Sequence, residues 1–342
     1  MTPLVSILIP TYGREQILCD TLADVLKQNY SAFEVIVIDQ TPAHEPATQA
    51  YLEQLVAAQQ IQLFRVPWAS LPGARNYGAR RARGEFLLFI DDDVQMPEGC
   101  VAAHVQVYLE RPDVGAVAGR VLDRMKLADF EPGLRIEDLP PEAHDPAIAW
   151  YHLNLVHTVK PQPVITARGC NMSFRREIFA TFNLWFDERF GGSAVREESD
   201  FCLRLRRTGY QIWYAPDAVL VHLGERTGGC HDISERSLQY QITFYHNHFL
   251  MGLKNLTPGQ ALRLFAKLFD CHVLGNPPCN KGGSPLKVIL RGGFYGIGCL
   301  RAIATQISSL WNDGQIYSRQ DERGRSRPTR PATIPLTQPE RP

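Results

Sequence analysis

Three carboxylates, Asp91, Asp92 and Asp93, stand together directly after the apolar run of residues 86–90 in the segment GEFLLFIDDDV. Adjacent aspartates repel one another, and desolvating them unpaired costs on the order of several kcal/mol, so at the end of a buried strand they need a compensating cation. Alternation along an extended chain sends Asp91 and Asp93 to one side and Asp92 to the other. Hard carboxylate oxygens suit Mg²⁺ or Mn²⁺, ions that reach a protein through one or two carboxylates and fill their other positions with water and phosphate oxygens. A solvated acidic turn is the competing reading.

Presenting these side chains requires a sheet, and the flanking sequence predicts one. Residues 4–9, 34–38, 61–66 and 86–90 are short apolar or β-branched runs, the pattern of strands buried on both faces. Between them, residues 14–28 and 45–60 carry apolar stripes at helical spacing. Strand and helix in alternation predict an α/β fold with a mostly parallel, Rossmann-like sheet flanked by helices, whose ligand crevice lies beyond the carboxyl ends of the strands. Further along, residues 101–110 read as a helix, 114–118 as a strand, 125–147 as a Pro-rich acidic excursion suited to an acceptor-facing loop, 164–174 and 211–222 as strands, and 199–207 as a helix capped by Gly209. The predicted division is a first domain over 1–231, a C-terminal helical extension over 232–312, and a disordered Arg- and Pro-rich tail over 313–342.

The 342 residues balance 36 basic against 36 acidic side chains, so nothing in the charge points to nucleic acid. Eight cysteines include no zinc-ribbon or redox pair; Cys271, His272 and Cys279 form only a weak metal fragment. The opening MTPLVSILIP has no basic leader and too short an apolar run for a signal peptide, which predicts a cytoplasmic chain. Lys287, Arg291 and Arg301 interrupt the best candidate membrane span, residues 286–304, and leave peripheral attachment at the inner face of the cell membrane through that basic, apolar segment open.

Several segments together resemble the family 2 glycosyltransferases. VSILIPTYGRE resembles the family's first strand and its PTYNR turn, with Gly13 at the Asn position. EVIVIDQT matches the base-reading aspartate at Asp39, while Gln40 and Thr41 depart from the usual pattern. LPGARNYGARRARGEFLLFIDDDV is similar to the AxNxG helix followed by the DxD strand, the most specific part of the likeness. ARGCNMSFRREIF resembles the segment before the acceptor site, REESDFCLRLRRTGY the acidic motif that carries the base, and YAPDAVLVHLG a strand that ends in a metal-binding histidine.

The resemblance implies a GT-A fold and metal-dependent transfer of a sugar, with inversion, from a nucleotide-diphosphate sugar to a glycan or lipid-linked acceptor. It implies donor contacts from Pro10, Tyr12, Arg14, Asp39, Arg75, Asn76, Asp91 and Asp92, a Mn²⁺ or Mg²⁺ site at Asp91, Asp93 and His222, and a sugar or acceptor pocket at Gly169, Asn171, Glu197 and Asp200. Glu198 falls where the family usually has its catalytic aspartate, with Glu197 and Asp200 as alternatives, and His231, His246 and His248 are weaker candidates for phosphate or acceptor. A nucleotidyltransferase or a dinucleotide-binding dehydrogenase would need a Gly-rich loop after the first strand, which IPTYGRE lacks. A noncatalytic sugar-nucleotide-binding protein of the same fold is the alternative function.

Overall fold

The computed structural model describes residues 2–124, 131, 133–225, 227–229, 237–279 and 281–311. Strands β1 (Val5–Thr11), β2 (Phe33–Asp39), β3 (Gln62–Arg65) and β4 (Phe86–Ile90) alternate with helices α1 (Gln16–Val25), α2 (Pro46–Ala57) and α3 (Leu71–Ala79). Every residue of β1 and β4 is buried, because helices cover both faces of the sheet and each side chain finds an apolar neighbour. After β4 come β5 (Val94–Gln95), α4 (Cys100–Glu110), β6 (Val114–Asp123), β7 (Gln162–Val164), β8 (Asn171–Arg175), α5 (Glu177–Thr181), α6 (Glu197–Arg206) and β9 (Gln211–His222). They complete a mixed sheet in the order β3-β2-β1-β4-β8-β6-β9-β5, with β7 also on β9. β1, β2, β3, β4, β6 and β9 run the same way, while β5, β7 and β8 run against them.

Two elements differ from the sequence reading. Residues 164–174 are not one strand: β7 pairs with β9 whereas β8 lies between β4 and β6, so the chain must turn between them, and residues 165–170 form that connection. β6 continues past residue 118 to Asp123, because β9 stays beside it to His222. The β6–β9 register slips twice, between Val114 and Ala116 and again where Gly119 faces Ala215 but Arg120 faces Val219, and the second slip is the larger. Asn171 fills the irregularity. Its Nδ2 donates to the carbonyls of Arg120 (3.0 Å) and Ala218 (2.8 Å), and its Oδ1 accepts from His104 Nε2 at 2.9 Å. Gly119 is required here, since a Cβ would sit 2.2 Å from the Asn171 amide nitrogen.

His104 Nδ1 in turn accepts from the Ser173 hydroxyl at 2.9 Å, which defines a neutral ring. Burial pushes its pKa down to about 4 against the partial support of Asn171. A folded pKa below the ordinary 6.5 means that the unfolded chain takes up the proton first as pH falls. His104 therefore contributes to a stability that is complete above about pH 6.5 and lost towards pH 4, by about 3 kcal/mol. Denaturant melts at pH 7 and pH 4.5 are expected to show the loss, and His104→Gln to flatten its part of the slope.

Helices α7 (Leu238–Asn255), α8 (Pro258–Leu268) and α9 (Pro285–Trp311) follow. Phe190 and Leu203, on the connection before α6 and on α6 itself, share an apolar cluster with Phe249, Leu264, Leu268 and Ala302 from these helices. Among the described residues one stretch, Pro285–Ser309, is long and apolar enough to cross a membrane by length and composition, and little of it is buried. The helix runs beyond the 286–304 segment expected from sequence, and the added residues supply apolar length that Lys287 does not interrupt.

Candidate active site

The carboxyl ends of β1, β4, β6 and β9 meet at one edge of the sheet, where a cleft of about 320 Å³ opens. Asp91, Asp93 and His222 each direct one ligand atom into a group spanning no more than 4.8 Å. His222 Nε2 lies 3.4 Å from Asp93 Oδ1 and 3.9 Å from Asp91 Oδ2. Asp93 is strapped to the end of β9, its backbone carbonyl accepting from Leu223 N and its Oδ2 from Glu225 N, both at 2.9 Å. Two hard carboxylates and one imidazole that face one another fit a divalent ion such as Mn²⁺ or Mg²⁺. These three residues are the chain's divalent-metal site.

Asp92 turns the other way. Its Oδ1 pairs with Arg14 Nε at 3.2 Å, and its backbone carbonyl accepts from Thr21 Oγ1 at 3.1 Å. Burial pushes its pKa up to about 7 against the pull of Arg14. Arg14 also reaches Asp93 Oδ2 at 3.3 Å, so one buried guanidinium neutralises part of the acidic triplet.

The sequence reading missed Asp123. It ends β6 directly opposite His222 in the register, with Oδ1 3.9 Å from His222 Nδ1 and Oδ2 3.2 Å from Arg168 Nη2. Burial would lift its carboxyl, yet the His222 ring and Arg168 hold Asp123 well below the carboxylate range. Burial lowers His222, but Asp123, Asp93 and Asp91 outweigh it and lift the ring to about 10. A carboxylate behind a ligating histidine fixes ring orientation and tautomer. Asp123→Asn is expected to weaken Mn²⁺ binding by about 10- to 100-fold, read by calorimetry on the purified protein. The signal available in the sequence was the continuation of the apolar run through Val121 and Leu122 into an acid, the same grammar as the run ending at Asp91.

Across the cleft, α6 presents its N-terminus. The preceding backbone is held at positive φ at Ala194 (52°) and Arg196 (74°), both outside the comfortable range for non-glycine residues. That kink sets two consecutive glutamates apart. Glu197 is fully buried and ion-paired to Arg75 Nη1, whereas Glu198 is partly exposed in the cleft and accepts from Ser199 Oγ at 3.1 Å. Arg75, 2% exposed, also donates to the Gly169 carbonyl at 3.0 Å and lies 3.5 Å from Asp91 Oδ1. It thereby joins the metal strand, the 165–170 connection and the helix bearing the glutamates.

The remaining wall comes from residues 10–14 and from 224, 225 and 227–229. Gly229 N donates to Tyr12 O at 2.6 Å, Arg14 reaches Thr227 O, and Thr41 Oγ1 accepts from Gly13 N at 3.0 Å. A Cβ on Gly228 would lie 2.2 Å from Gly13 O, so the two loops meet backbone to backbone.

Of the residues singled out from sequence, the structure gathers Pro10, Tyr12, Arg14, Arg75, Asp91, Asp92, Asp93, Gly169, Glu197, Glu198 and His222 around this cleft. Four others lie elsewhere. Asp39 is buried behind the wall, its two oxygens engaged by Thr41 N (2.9 Å) and His44 Nε2 (3.1 Å). Asn76 braces the core, donating to Phe186 O (2.8 Å) and accepting from Phe186 N (2.9 Å). Asn171 is the interior brace of β6 and β9. Asp200 is buried against Arg204, Lys254 and Asn255 on the far side of α6. In each case both polar ends of the side chain are consumed by the fold, a distinction that a motif cannot carry. His246 and His248 sit within α7, bonded to Thr305 and to the Phe244 carbonyl, and His231 lies outside the described residues.

The chain matches the model of Glycosyl transferase family 2 over residues 6–182. It is 26% identical over 235 residues to the O-antigen biosynthesis protein RfbC of Myxococcus xanthus, covering 65% of this chain and 17% of that protein. It is 23% identical over 283 residues to the uncharacterized glycosyltransferase EpsJ of Bacillus subtilis, covering 74% and 72%. The chain thus spans well under two thirds of the length of RfbC, although most of that of EpsJ. Its fold is similar to that of the mannosyltransferase PcManGT from Pyrobaculum calidifontis, solved in complex with GDP-Man and Mn²⁺, with a TM-score of 0.53, 19% identity and coverage of 91% and 88%. S. aureus TarS 1-349 in complex with UDP gives a TM-score of 0.54 at 16% identity, with coverage of 92% and 93%. With the family match covering more than half of its length and the α/β sheet presenting an acidic metal site at its carboxyl edge, this chain is a family 2 glycosyltransferase with the GT-A architecture.

Proposed function

We propose that the cleft transfers a sugar from a nucleotide-diphosphate sugar to a hydroxyl of a glycan or lipid-linked acceptor, with inversion at the anomeric carbon and Glu198 as the base. The observation that carries this reading is the unequal treatment of two adjacent glutamates. Both line the cleft beside Asp91, Asp93 and His222, but Glu197 is fully buried and ion-paired to Arg75, whereas Glu198 is partly exposed. A base must reach the proton it removes, and of the two only Glu198 has an approach from solvent.

Asp91, Asp93 and His222 would hold the cation, which when bound supplies Lewis-acid neutralisation of the departing diphosphate. Pro10, Tyr12 and Arg14 form the wall assigned to the donor, and Gly169 with Glu197 borders the sugar. Arg75 adds a positive charge at the same place, where charge develops as the leaving group departs. Glu198 orients the acceptor hydroxyl and takes its proton as the new bond forms. One displacement with the base behind the acceptor inverts the configuration. Residues 1–231 are assigned to the transferase and 232–312 to an extension that contacts the membrane peripherally. Participation in surface-polysaccharide synthesis accords with the name of the O-antigen biosynthesis relative RfbC.

The test is calorimetric binding of UDP-, GDP- and dTDP-sugars with Mn²⁺ and after chelation. Metal-dependent binding of one donor, followed by transfer of its sugar, is the expected result; no binding by folded protein would overturn the reading.

A further inference from the structure

The helix α9 has two apolar faces, and the fold uses one. Tyr295 packs on Phe249 and Phe269, Ala302 is fully buried, and Gly298 lies so close to α7 that a Cβ would come within 2.6 Å of Tyr245 Cβ. On the other side Leu286, Ile289, Leu290, Ile297, Leu300 and Ile303 are 41 to 70% exposed. Their spacing follows the three- and four-residue steps of a single helical stripe, about 26 Å long from Leu286 to Ile303. A stripe of large side chains on this scale, exposed in a chain that has a well-packed core elsewhere, marks a contact surface.

The charge on the helix identifies what the surface meets. α9 carries Lys287, Arg291 and Arg301 and no acidic residue. Lys287 follows Leu286 and Arg301 follows Leu300, so each cation stands about 100° round the helix from that leucine and the two lie along the same flank of the stripe. A second copy of the same helix would bring cations against cations with no carboxylate to pair them. Spanning would take Arg291 and Arg301 into hydrocarbon and strip Tyr295, Gly298 and Ala302 from the core they fill. An apolar stripe flanked by cations, on a helix whose back is fastened to a folded body, matches a helix lying in the headgroup plane of an anionic bilayer.

We infer that α9 is the membrane-docking element of this protein, lying in the interfacial plane of an anionic lipid surface with the stripe from Leu286 to Ile303 facing the acyl chains. The inference deepens the peripheral contact proposed above by naming its partner, anionic lipid headgroups, and its face.

The test is flotation of the full chain with vesicles of phosphatidylcholine alone and of phosphatidylcholine with about one third phosphatidylglycerol. Binding to the anionic vesicles, weakened by salt and at least tenfold poorer to the neutral ones, is expected. Ile297→Glu with Leu300→Glu should reduce anionic binding by at least tenfold, and Lys287→Gln with Arg301→Gln should remove the preference for anionic lipid, while both variants keep the wild-type donor affinity in solution. Equal flotation of wild type and the Glu variant would overturn the assignment. So would a stable dimer that the Glu variant dissolves, since a second copy would then be the occupant. Donor binding measured on the same samples separates the two readings: flotation without donor binding sinks the transferase mechanism alone, and donor binding without flotation sinks the docking face alone.

Discussion

Glu198→Gln is expected to lower the rate of transfer by about 10²- to 10⁴-fold while leaving donor affinity and thermal stability close to those of the wild type. The amide keeps the size of the side chain and its bond from Ser199 but cannot accept the acceptor's proton. The neighbouring substitution separates chemistry from architecture. Glu197→Gln removes the charge opposite a guanidinium that is 2% exposed, and breaking a buried pair from one side costs about 3–5 kcal/mol. Its signature is therefore a lowered melting temperature. Near-normal turnover by Glu198→Gln would eliminate that residue as the base, whereas a fall in turnover for Glu197→Gln without any loss of stability would move the assignment to Glu197.

Asp93→Ala is expected to abolish the metal-dependent increment of donor binding and to reduce Mn²⁺ affinity by more than the roughly 10- to 100-fold forecast for the outer carboxylate Asp123. Asp93 supplies the carboxylate nearest to His222, and it also holds Arg14 and the amide of Glu225, so its loss loosens the cleft wall at Glu225. Asp91→Ala is the cleaner companion. Asp91 is about one third exposed and, among the described residues, is paired only with Arg75 besides His222, so metal should be lost with less disturbance of the fold. Paramagnetic resonance of free Mn²⁺ gives the affinity without any turnover, and melting curves show how much of the effect is structural. An unchanged Mn²⁺ titration for Asp93→Ala would remove it from the ligand set.

The sheet was legible because strands buried on both faces write their burial into the sequence as uninterrupted apolar runs, as in β1 and β4. The acids at the end of β4 were legible for the opposite reason, since nothing in a core accounts for them. Interior polar residues were not. Asn76, Asn171 and Asp200 sit in the same segments as cleft residues and belong to the same residue types, but a neighbour turned by one position on a strand or helix faces inward instead of out. Only the register decides, and the register around Asn171 depends on a slip between β6 and β9 that is set by partners far away in sequence. Asp123 escaped notice through the same dependence, because β6 is extended by β9 more than by its own composition.

Arg75 makes this cleft indivisible. Its guanidinium is shared by Asp91 on the strand it accompanies, by Gly169 and by Glu197, and no fragment shorter than the span between residues 75 and 197 contains all of its partners. The family match stops at residue 182, yet a polypeptide cut there would keep its three aspartates, lose Glu197 and His222, and leave β6 with an open edge where β9 belongs. Recombination between relatives at that boundary would separate a guanidinium from its counterion and a strand from its neighbour, so the workable exchange unit extends at least through His222.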